Sequence, residues 1–228
     1  MLTDCYLFFY ILWYNVVKWL IVFYNLYGKG CEEMLFYDIS REVLSAPVYE
    51  GDPKTEASFV KTTEDECRCN ISKVTMCTHA GTHIDAPLHF DDEGDDIASM
   101  KISRFYGKCT VVTIEGILTG EDMERLLPHC THRLILHGSG KAYVSVHAAR
   151  VIADSKIKLI GTDAMSIAPP FDEFNTHIEL ARAGIAVLEN LYLEGVRDGT
   201  YTLSAFPLRL AGLEASPCRA ILIDDRGY

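Results

Sequence analysis

The chain has 228 residues, of which 49% are hydrophobic and 23% are charged, so it can bury a sizeable core in one domain. Its 32 acidic residues against 21 basic ones give a formal net charge of −11, which argues against a nucleic-acid partner and against an anionic membrane surface. The 8 cysteines are scattered and form no Cys-x-x-Cys pair, which favours a reduced, cytoplasmic setting over a disulfide framework.

The first 33 residues differ sharply in composition from the rest of the chain. Residues 6–27 form an apolar run long enough to cross a bilayer, but Lys18 lies near its centre, where a charge costs about 2.5 to 3.5 kcal/mol on insertion scales. A cleaved signal peptide fits less well, because Asp4 and no basic residue precede the run. Two interpretations stay open: a weak membrane anchor, or a translated leader ahead of Met34. Residues 34–228 are expected to form the folded domain.

From Met34 onward, apolar periodicity and turn signals predict an α/β domain in which strands alternate with helices. The predicted strands are Leu35–Ile39, Val43–Tyr49, Ala57–Val60, Cys69–Cys77, Cys109–Ile114, Arg133–His137, Lys158–Thr162, Ile185–Leu188, Tyr201–Leu210 and Arg219–Asp224. The predicted helices are Gly120–Leu127, Val146–Ala153 and Phe174–Ala183, and Gly212–Pro217 is a predicted turn between the last two strands.

One short stretch, from His79 to Phe90, concentrates imidazole and carboxylate side chains as no other part of the sequence does. Imidazole nitrogen and carboxylate oxygen are donors that a divalent ion such as zinc or manganese takes. The spacing of His79, His83 and Asp85 allows one turn followed by an extended dipeptide to aim all three at one point. A single histidine is more often a structural residue, but this combination favours a metal site.

His89 follows four residues after Asp85 and is open to two interpretations. It is either a fourth ligand or a free imidazole that moves protons beside the metal. A second pair of donors comes much later in the chain, with His177 on a predicted helix and Glu189 at the end of a predicted strand. Each would be unremarkable alone, but together they can complete a metal site that the first cluster begins.

The pattern His-x-Gly-Thr-His-x-Asp-x-Pro-x-His-Phe is similar to the signature of the metal-dependent cyclase-like hydrolase family, which includes bacterial kynurenine formamidase and isatin hydrolase. Further blocks resemble the family in the family's order: Val48–Pro53, Gly161–Ser166, Leu188–Leu191, Phe206–Leu210 and Ser216–Ala220. The resemblance runs from about Met34 to the C-terminus and leaves Met1–Glu33 uncovered. Glu50 departs from the proline that is common in the family's early turn.

The resemblance implies a swivelling β/β/α fold with a metal site at strand ends, usually in a homodimer or higher oligomer. The metal ligands that it implies are His79, His83, Asp85, His177 and Glu189. The first three would hold one ion, Asp85 would bridge, and the last two would help to hold a second ion. His89 would be the acid/base. Zn²⁺ is the expected ion, one or two per chain, and Mn²⁺ is the alternative.

The residues and the resemblance agree on hydrolysis of an amide bond in a small molecule. A divalent ion activates water and polarises a carbonyl, and an imidazole that carries the proton to the leaving nitrogen contributes about 10²–10⁴ in rate. The expected enzyme is an arylformamidase that converts N-formylkynurenine to kynurenine and formate. Two alternatives stay open: a cyclic-amide hydrolase of the isatin hydrolase type, and a non-catalytic, metal-dependent binding protein.

Overall fold

A mixed sheet of nine strands is the framework of the part of the chain that the structure describes. The structure, a computed structural model, describes residues 34–224. Residues 1–33, on which the predicted anchor or leader falls, lie outside the described residues. None of the helices in residues 34–224 has the length and apolar character needed to cross a membrane.

The described residues form thirteen strands and three α-helices. The strands are β1 Leu35–Asp38, β2 Glu56–Lys61, β3 Ile71–Thr75, β4 His83–Asp85, β5 Tyr106–Thr113, β6 Gly116–Leu118, β7 Arg133–His137, β8 Ala142–Val144, β9 Leu159–Thr162, β10 Ala186–Glu189, β11 Gly199–Ser204, β12 Ala215–Pro217 and β13 Ile221–Asp224. The helices are α1 Gly120–Leu126, α2 Val146–Ala153 and α3 Glu173–Arg182, and 3₁₀ turns occur at Pro87–His89, Ile102–Arg104 and Leu127–His129.

The large sheet has the strand order β1-β13-β11-β5-β7-β9-β10-β4-β12. Its centre, β5-β7-β9-β10, is parallel, and helices connect these strands, as parallel neighbours require a crossover. The flanks are antiparallel, with β4 beside β10 and β12 beside β4. The predicted α/β class is therefore confirmed, with a larger and more mixed sheet than a simple alternation of strand and helix.

Alternating side chains of the central strands divide the core into two clusters, one on each face of the sheet. In β7, Leu134 and Leu136 pack with residues of the three helices, whereas Ile135 packs on the opposite face. That opposite cluster joins Ile84 of β4 to Leu222 of β13, strands from the two ends of the sheet. The sheet is therefore curled, and it covers its second face largely with its own strands.

Strands β2 and β3 form a separate antiparallel ribbon, in which every residue of both strands is exposed. The sequence predicts both strands, Ala57–Val60 and Cys69–Cys77, and their existence is confirmed. The second one is shorter than predicted and does not belong to the large sheet. The ribbon therefore precedes the His79 cluster in the chain but does not form the scaffold beneath it.

The predicted strand Val43–Tyr49 is wrong, because this stretch forms turns. The Glu42 carboxylate accepts hydrogen bonds from the backbone N–H groups of Leu44 and Ser45, at 3.0 and 2.8 Å, and the Glu42 carbonyl accepts one from Ala46. A side chain that satisfies the backbone locally competes with a strand ladder. The alternation of apolar residues in this stretch was a misleading signal.

The predicted turn Gly212–Pro217 is also wrong in its second half, where Ala215–Pro217 forms strand β12. This strand pairs with β4, which lies far away in the chain, with Ala215 opposite Asp85 and Pro217 opposite His83. A three-residue strand containing proline carries no local pattern, so only its distant partner defines it. The preceding predicted strand, Tyr201–Leu210, ends at Ser204.

Candidate metal centre

The sheet places three of the predicted site residues on one face. His83 and Asp85 are two residues apart in β4, so their side chains point to the same side, whereas Ile84 between them enters the core on the other side. Glu189, the last residue of β10, lies directly opposite His83 in the antiparallel pair. Neighbouring strands therefore bring one imidazole and two carboxylates together.

Helix α3 brings His177 to the same place. The Nε2 atom of His177 lies 3.3 Å from Glu189 Oε1, and its Nδ1 atom lies 3.0 Å from the carbonyl oxygen of Glu173 one helical turn earlier. A ring nitrogen that donates to a backbone carbonyl leaves the other nitrogen with its lone pair free for a metal. His177 thus presents Nε2 to the cluster.

The turn before β4 orients His83 in the same way. Gly81 has a φ of +64°, the left-handed region that favours glycine, and its carbonyl oxygen lies 3.0 Å from His83 Nδ1. Asn190 donates to the same carbonyl from its side-chain amide, at 3.2 Å. His83 therefore directs Nε2 towards the carboxylates, 3.3 Å from Asp85 Oδ1 and 3.6 Å from Glu189 Oε2.

His79 faces the cluster with Nδ1, whereas His83 and His177 face it with Nε2. Its Nδ1 atom lies 3.0 Å from Asp85 Oδ1, and its Nε2 atom lies 3.4 Å from Glu214 Oε1. Glu214 immediately precedes β12 and is half-buried. It is a residue that the sequence did not single out, because a lone glutamate in a predicted turn gives no signal.

Both carboxylate oxygens of Asp85 and the Nε2 atom of His83 are buried without a hydrogen-bond partner in residues 34–224. His79 and His83 lie beside Asp85 as ion-pair neighbours, but a buried carboxylate that accepts no hydrogen bond is unfavourable, so the arrangement favours a further positive charge at its centre. Two groups of donors meet the distance requirement for one ion each, namely His79, Asp85 and His89, and His83, Asp85 and Glu189. The residues therefore fit a divalent metal, and Asp85 belongs to both groups.

The acid–base equilibria of the imidazoles reflect the same cluster of carboxylates. Burial lowers the pKa of His79, but its contacts with Asp85 outweigh burial and raise the pKa to about 9. Glu189 does the same for the pKa of His177, also to about 9, and the pKa of His83 is raised as well. Without a bound metal, these imidazoles are protonated and positively charged. Metal binding would therefore release protons.

His89 has a different environment from the other three imidazoles. Its ring lies 4.3 Å from the His79 ring and 6.4 Å from the His177 ring, centre to centre. Neither of its nitrogens has a hydrogen bond or ion pair with any residue in 34–224, and burial lowers its pKa. Its position at the end of the 3₁₀ turn Pro87–His89 is fixed by backbone hydrogen bonds, including one from His89 N–H to the Ala86 carbonyl at 3.0 Å.

A cavity of about 220 Å³ opens above these residues. Its lining combines the site imidazoles and Glu189 with six further apolar and polar residues: Tyr49, Asp52, Phe90, Met165, Ser166 and Glu173. Tyr49 donates a hydrogen bond to Glu173 Oε2 at 2.8 Å, which connects the early turn to α3. Tyr49, Asp52, Met165 and Ser166 lie in sequence blocks that carry the family resemblance, but their meeting at one cavity depends on the fold.

Solved structures with the same fold include hydrolases. The chain matches a predicted metal-dependent hydrolase from Bacillus stearothermophilus at a TM-score of 0.70 and 28% identity, covering 84% of this chain and 98% of that one. Isatin hydrolase A from Labrenzia aggregata matches at a TM-score of 0.73 and 17% identity, covering 87% and 97%, which is a likeness of fold. The fold and the donor cluster together define an enzyme of the metal-dependent hydrolase class.

Sequence relatives narrow this class to one family. Residues 37–169, more than half of the chain, match the Cyclase family. Kynurenine formamidase from Delftia acidovorans is 35% identical over 201 residues, covering 82% of this chain and 96% of that protein. Kynurenine formamidase from Maricaulis maris is 32% identical over 201 residues, also covering 82% of this chain and 96% of that protein. This chain therefore belongs to the Cyclase family.

Proposed function

We propose that this protein is an arylformamidase that hydrolyses N-formylkynurenine to kynurenine and formate. One observation carries the proposal. A buried cluster of metal donors shares its cavity with an unpaired imidazole, in a chain 35% identical to a kynurenine formamidase across 96% of that enzyme. His89 lies within donor distance of His79 and Asp85, but its ring nitrogens have no hydrogen bond in residues 34–224, which leaves this imidazole able to carry a proton.

The proposed ligands are the five predicted ones: His79, His83, Asp85, His177 and Glu189. Asp85 lies in both groups of donors, which supports a bridging role between two ions. The groups combine His83 with Glu189 and His79 with His89, so the geometry divides the donors differently from the resemblance. Imidazole-rich donors with two carboxylates suit Zn²⁺, which we propose as the ion, and Mn²⁺ is the alternative for metal analysis to test.

A divalent ion held at this cluster supplies Lewis acidity for water and for the carbonyl oxygen of the substrate. The protein residues move the proton. A ring nitrogen of His89 can accept a proton from water and return it to the amide nitrogen as the leaving group departs. His83 and His177 cannot serve in this way, because each holds one nitrogen against a backbone carbonyl and the other against a carboxylate.

The apolar part of the cavity supports a substrate with an aromatic ring. Phe90 stacks on His177 with ring centres 4.4 Å apart and planes inclined by 20°, and Met165 and Tyr49 lie elsewhere in the lining. Ligand cavities commonly combine such apolar surface with a few polar groups that fix orientation. An aryl group can lie against these side chains while its formamide reaches the imidazoles.

The test uses purified protein whose metal content has been measured. Release of formate from N-formylkynurenine is followed, and isatin is assayed as the second substrate. We expect metal-dependent turnover of N-formylkynurenine and little or no opening of the isatin ring. Preferential hydrolysis of isatin would identify a cyclic-amide hydrolase instead. Metal binding without turnover of either compound would favour a binding protein.

We also propose that the enzyme is a homo-oligomer in the cytoplasm. The ribbon β2–β3 exposes Phe59 and Val60, and apolar surface of this kind in a two-stranded ribbon favours a covering partner. The cysteines in residues 34–224 are free thiols, which a reducing compartment maintains. Light scattering coupled to gel filtration tests the oligomeric state, and a monomer at micromolar concentration would contradict it.

A further inference from the structure

We propose that Glu214 is a positioning residue that fixes the tautomer of His79, so that His79 presents Nδ1 to the metal while His83 and His177 present Nε2. The inference rests on the proposed role of His79 as a ligand. It assigns a function to a carboxylate outside the predicted site.

The orientation of the His79 ring is the first support. Its Nδ1 atom faces Asp85 Oδ1 at 3.0 Å, on the side of the ring where the buried carboxylate lacks a hydrogen-bond partner. Its Nε2 atom faces Glu214 Oε1 at 3.4 Å. A carboxylate beside Nε2 favours the proton on that nitrogen and leaves the lone pair on Nδ1.

The other two histidines provide the contrast. In His83 and His177 the nitrogen that faces a carbonyl oxygen is Nδ1, at 3.0 Å in both cases. Backbone carbonyls of Gly81 and Glu173 therefore orient those rings through Nδ1, whereas a side chain must orient His79 through Nε2. A side chain can be changed without altering the backbone, which makes this interaction open to a direct test.

Glu214 is held in place independently of the imidazole. Its carbonyl oxygen accepts a hydrogen bond from Ala86 N–H at 2.8 Å, and the next residue, Ala215, pairs with Asp85 in the β12–β4 ladder. The Thr78 hydroxyl donates to Glu214 Oε1. The carboxylate that orients His79 thus belongs to the residue immediately before β12, the strand that flanks Asp85.

Glu214 is not itself in either group of metal donors. Outer carboxylates that hold a metal-bound histidine typically change metal affinity by about 10- to 100-fold when they are removed. A residue with a purely structural role at the start of β12 would instead change stability and leave the choice of ring nitrogen unaltered. The two roles therefore have different signatures.

The first experiment measures Zn²⁺ affinity and stoichiometry by competition with a chelator in three variants. We expect Glu214→Leu to bind Zn²⁺ about 10- to 100-fold more weakly with unchanged stoichiometry. Glu214→Gln should lose less, because its amide oxygen still accepts the Nε2 proton. Glu194→Leu is the control, since Glu194 is exposed and does not line the cavity. Thermal unfolding of each metal-free variant shows whether the fold is intact.

The second experiment identifies the coordinating nitrogen directly. Protein with ¹⁵N-labelled histidine is loaded with ¹¹³Cd²⁺, and the coupling between cadmium and nitrogen shows which ring atom is bound. We expect cadmium on Nδ1 of His79 and on Nε2 of His83 and His177. In Glu214→Leu we expect the Nε2 proton signal of His79 to broaden or disappear.

Three outcomes would overturn the proposal: cadmium on Nε2 of His79, an unchanged Zn²⁺ affinity in Glu214→Leu, or the loss of one whole ion, which would make Glu214 a ligand. None of these measurements requires a substrate. Cadmium on Nδ1 of His79, together with weaker Zn²⁺ binding in Glu214→Leu but no release of formate by the natural protein, would support the positioning role and contradict the arylformamidase proposal. The two can therefore fail separately.

Discussion

At the scale of single residues, His89 and His83 differ in whether their ring nitrogens already contact polar groups of the protein. Both ring nitrogens of His89 are without a hydrogen-bonding partner in residues 34–224, whereas His83 donates from Nδ1 to Gly81 and directs Nε2 at two carboxylates. The first arrangement suits proton transfer and the second suits metal binding. The two residues therefore offer a matched pair of substitutions.

We expect His89→Ala to keep its metal and to lose turnover by about 10²–10⁴-fold, the usual contribution of a general acid or base. His83→Ala should lose metal, and its turnover should fall as a consequence. Metal content by atomic absorption and kcat for formate release separate the two effects. Equal metal loss in both variants would make His89 a ligand instead of a proton carrier.

Gly81 is the residue on which the orientation of His83 depends. Its φ of +64° is unfavourable for any side chain, and an added Cβ would lie 3.3 Å from the backbone Cα of Val43. We expect Gly81→Ala to lower the free energy of unfolding by about 1–2 kcal/mol, the cost of a left-handed conformation, and to weaken metal binding. Urea denaturation of the metal-free protein measures the first effect. An unchanged midpoint and slope would show that the turn relaxes without cost.

At the scale of elements, helix α1 begins at a reciprocal side-chain cap that lies outside the candidate metal site. The Thr119 hydroxyl accepts a hydrogen bond from Asp122 N–H at 3.3 Å, and Asp122 Oδ2 accepts one from Thr119 N–H at 2.9 Å. This reciprocal cap satisfies backbone groups that the first turn of a helix leaves free. The helix packs on the core through Met123.

We expect Thr119→Ala to reduce the free energy of unfolding by about 0.5–2 kcal/mol, as the loss of a cap does, without changing kcat/KM. Thr119→Ser, which keeps the hydroxyl, should stay close to the natural protein. Denaturant unfolding and the formate assay together check both statements. A fall in kcat/KM with unchanged stability would show that α1 affects the site directly.

At the scale of the whole molecule, the metal centre couples binding to folding. Asp85 and Glu189 are buried carboxylates on adjacent strands, and within residues 34–224 the cationic groups paired with them are imidazoles. A ligand present at a free concentration of 100 times its Kd stabilises a native protein by about 2.7 kcal/mol. The chain should therefore be less stable after its metal is removed.

We expect dialysis against a chelator to lower the thermal midpoint, and added Zn²⁺ to restore both the midpoint and the activity. Differential scanning calorimetry at several free Zn²⁺ concentrations measures the effect, which should grow with the logarithm of concentration. A midpoint that does not respond to the metal would contradict binding at the buried cluster.

A chain that begins at Met34 provides a second test at this scale. Every strand of the large sheet and every proposed site residue lies after this position. We expect such a chain to fold and to keep its activity. If it aggregates or loses turnover, residues 1–33 belong to the working domain.

The sequence alone determined the elements with strong local signals and pointed to the candidate donors. Strand Arg133–His137 and helix Val146–Ala153 have the predicted bounds, since a buried apolar run and a helical period are visible without any partner. His79, His83 and Asp85 were recognisable because their spacing is short. His177 and Glu189 were recognisable only in combination, as a distant histidine and glutamate that can complete a metal site and that the family resemblance also implies.

The tertiary structure decided how these donors meet and which residues orient them. Strand β12 exists because it pairs with β4, and this pairing places Glu214 beside His79, although neither fact has a trace in the local sequence. Local carbonyls of Gly81 and Glu173 orient the rings of His83 and His177, whereas the ring of His79 meets the carboxylate of Glu214 from a distant segment. Local spacing determines which donors are present, but the pairing of distant strands determines that they meet, because this pairing is set by the packing of the whole sheet.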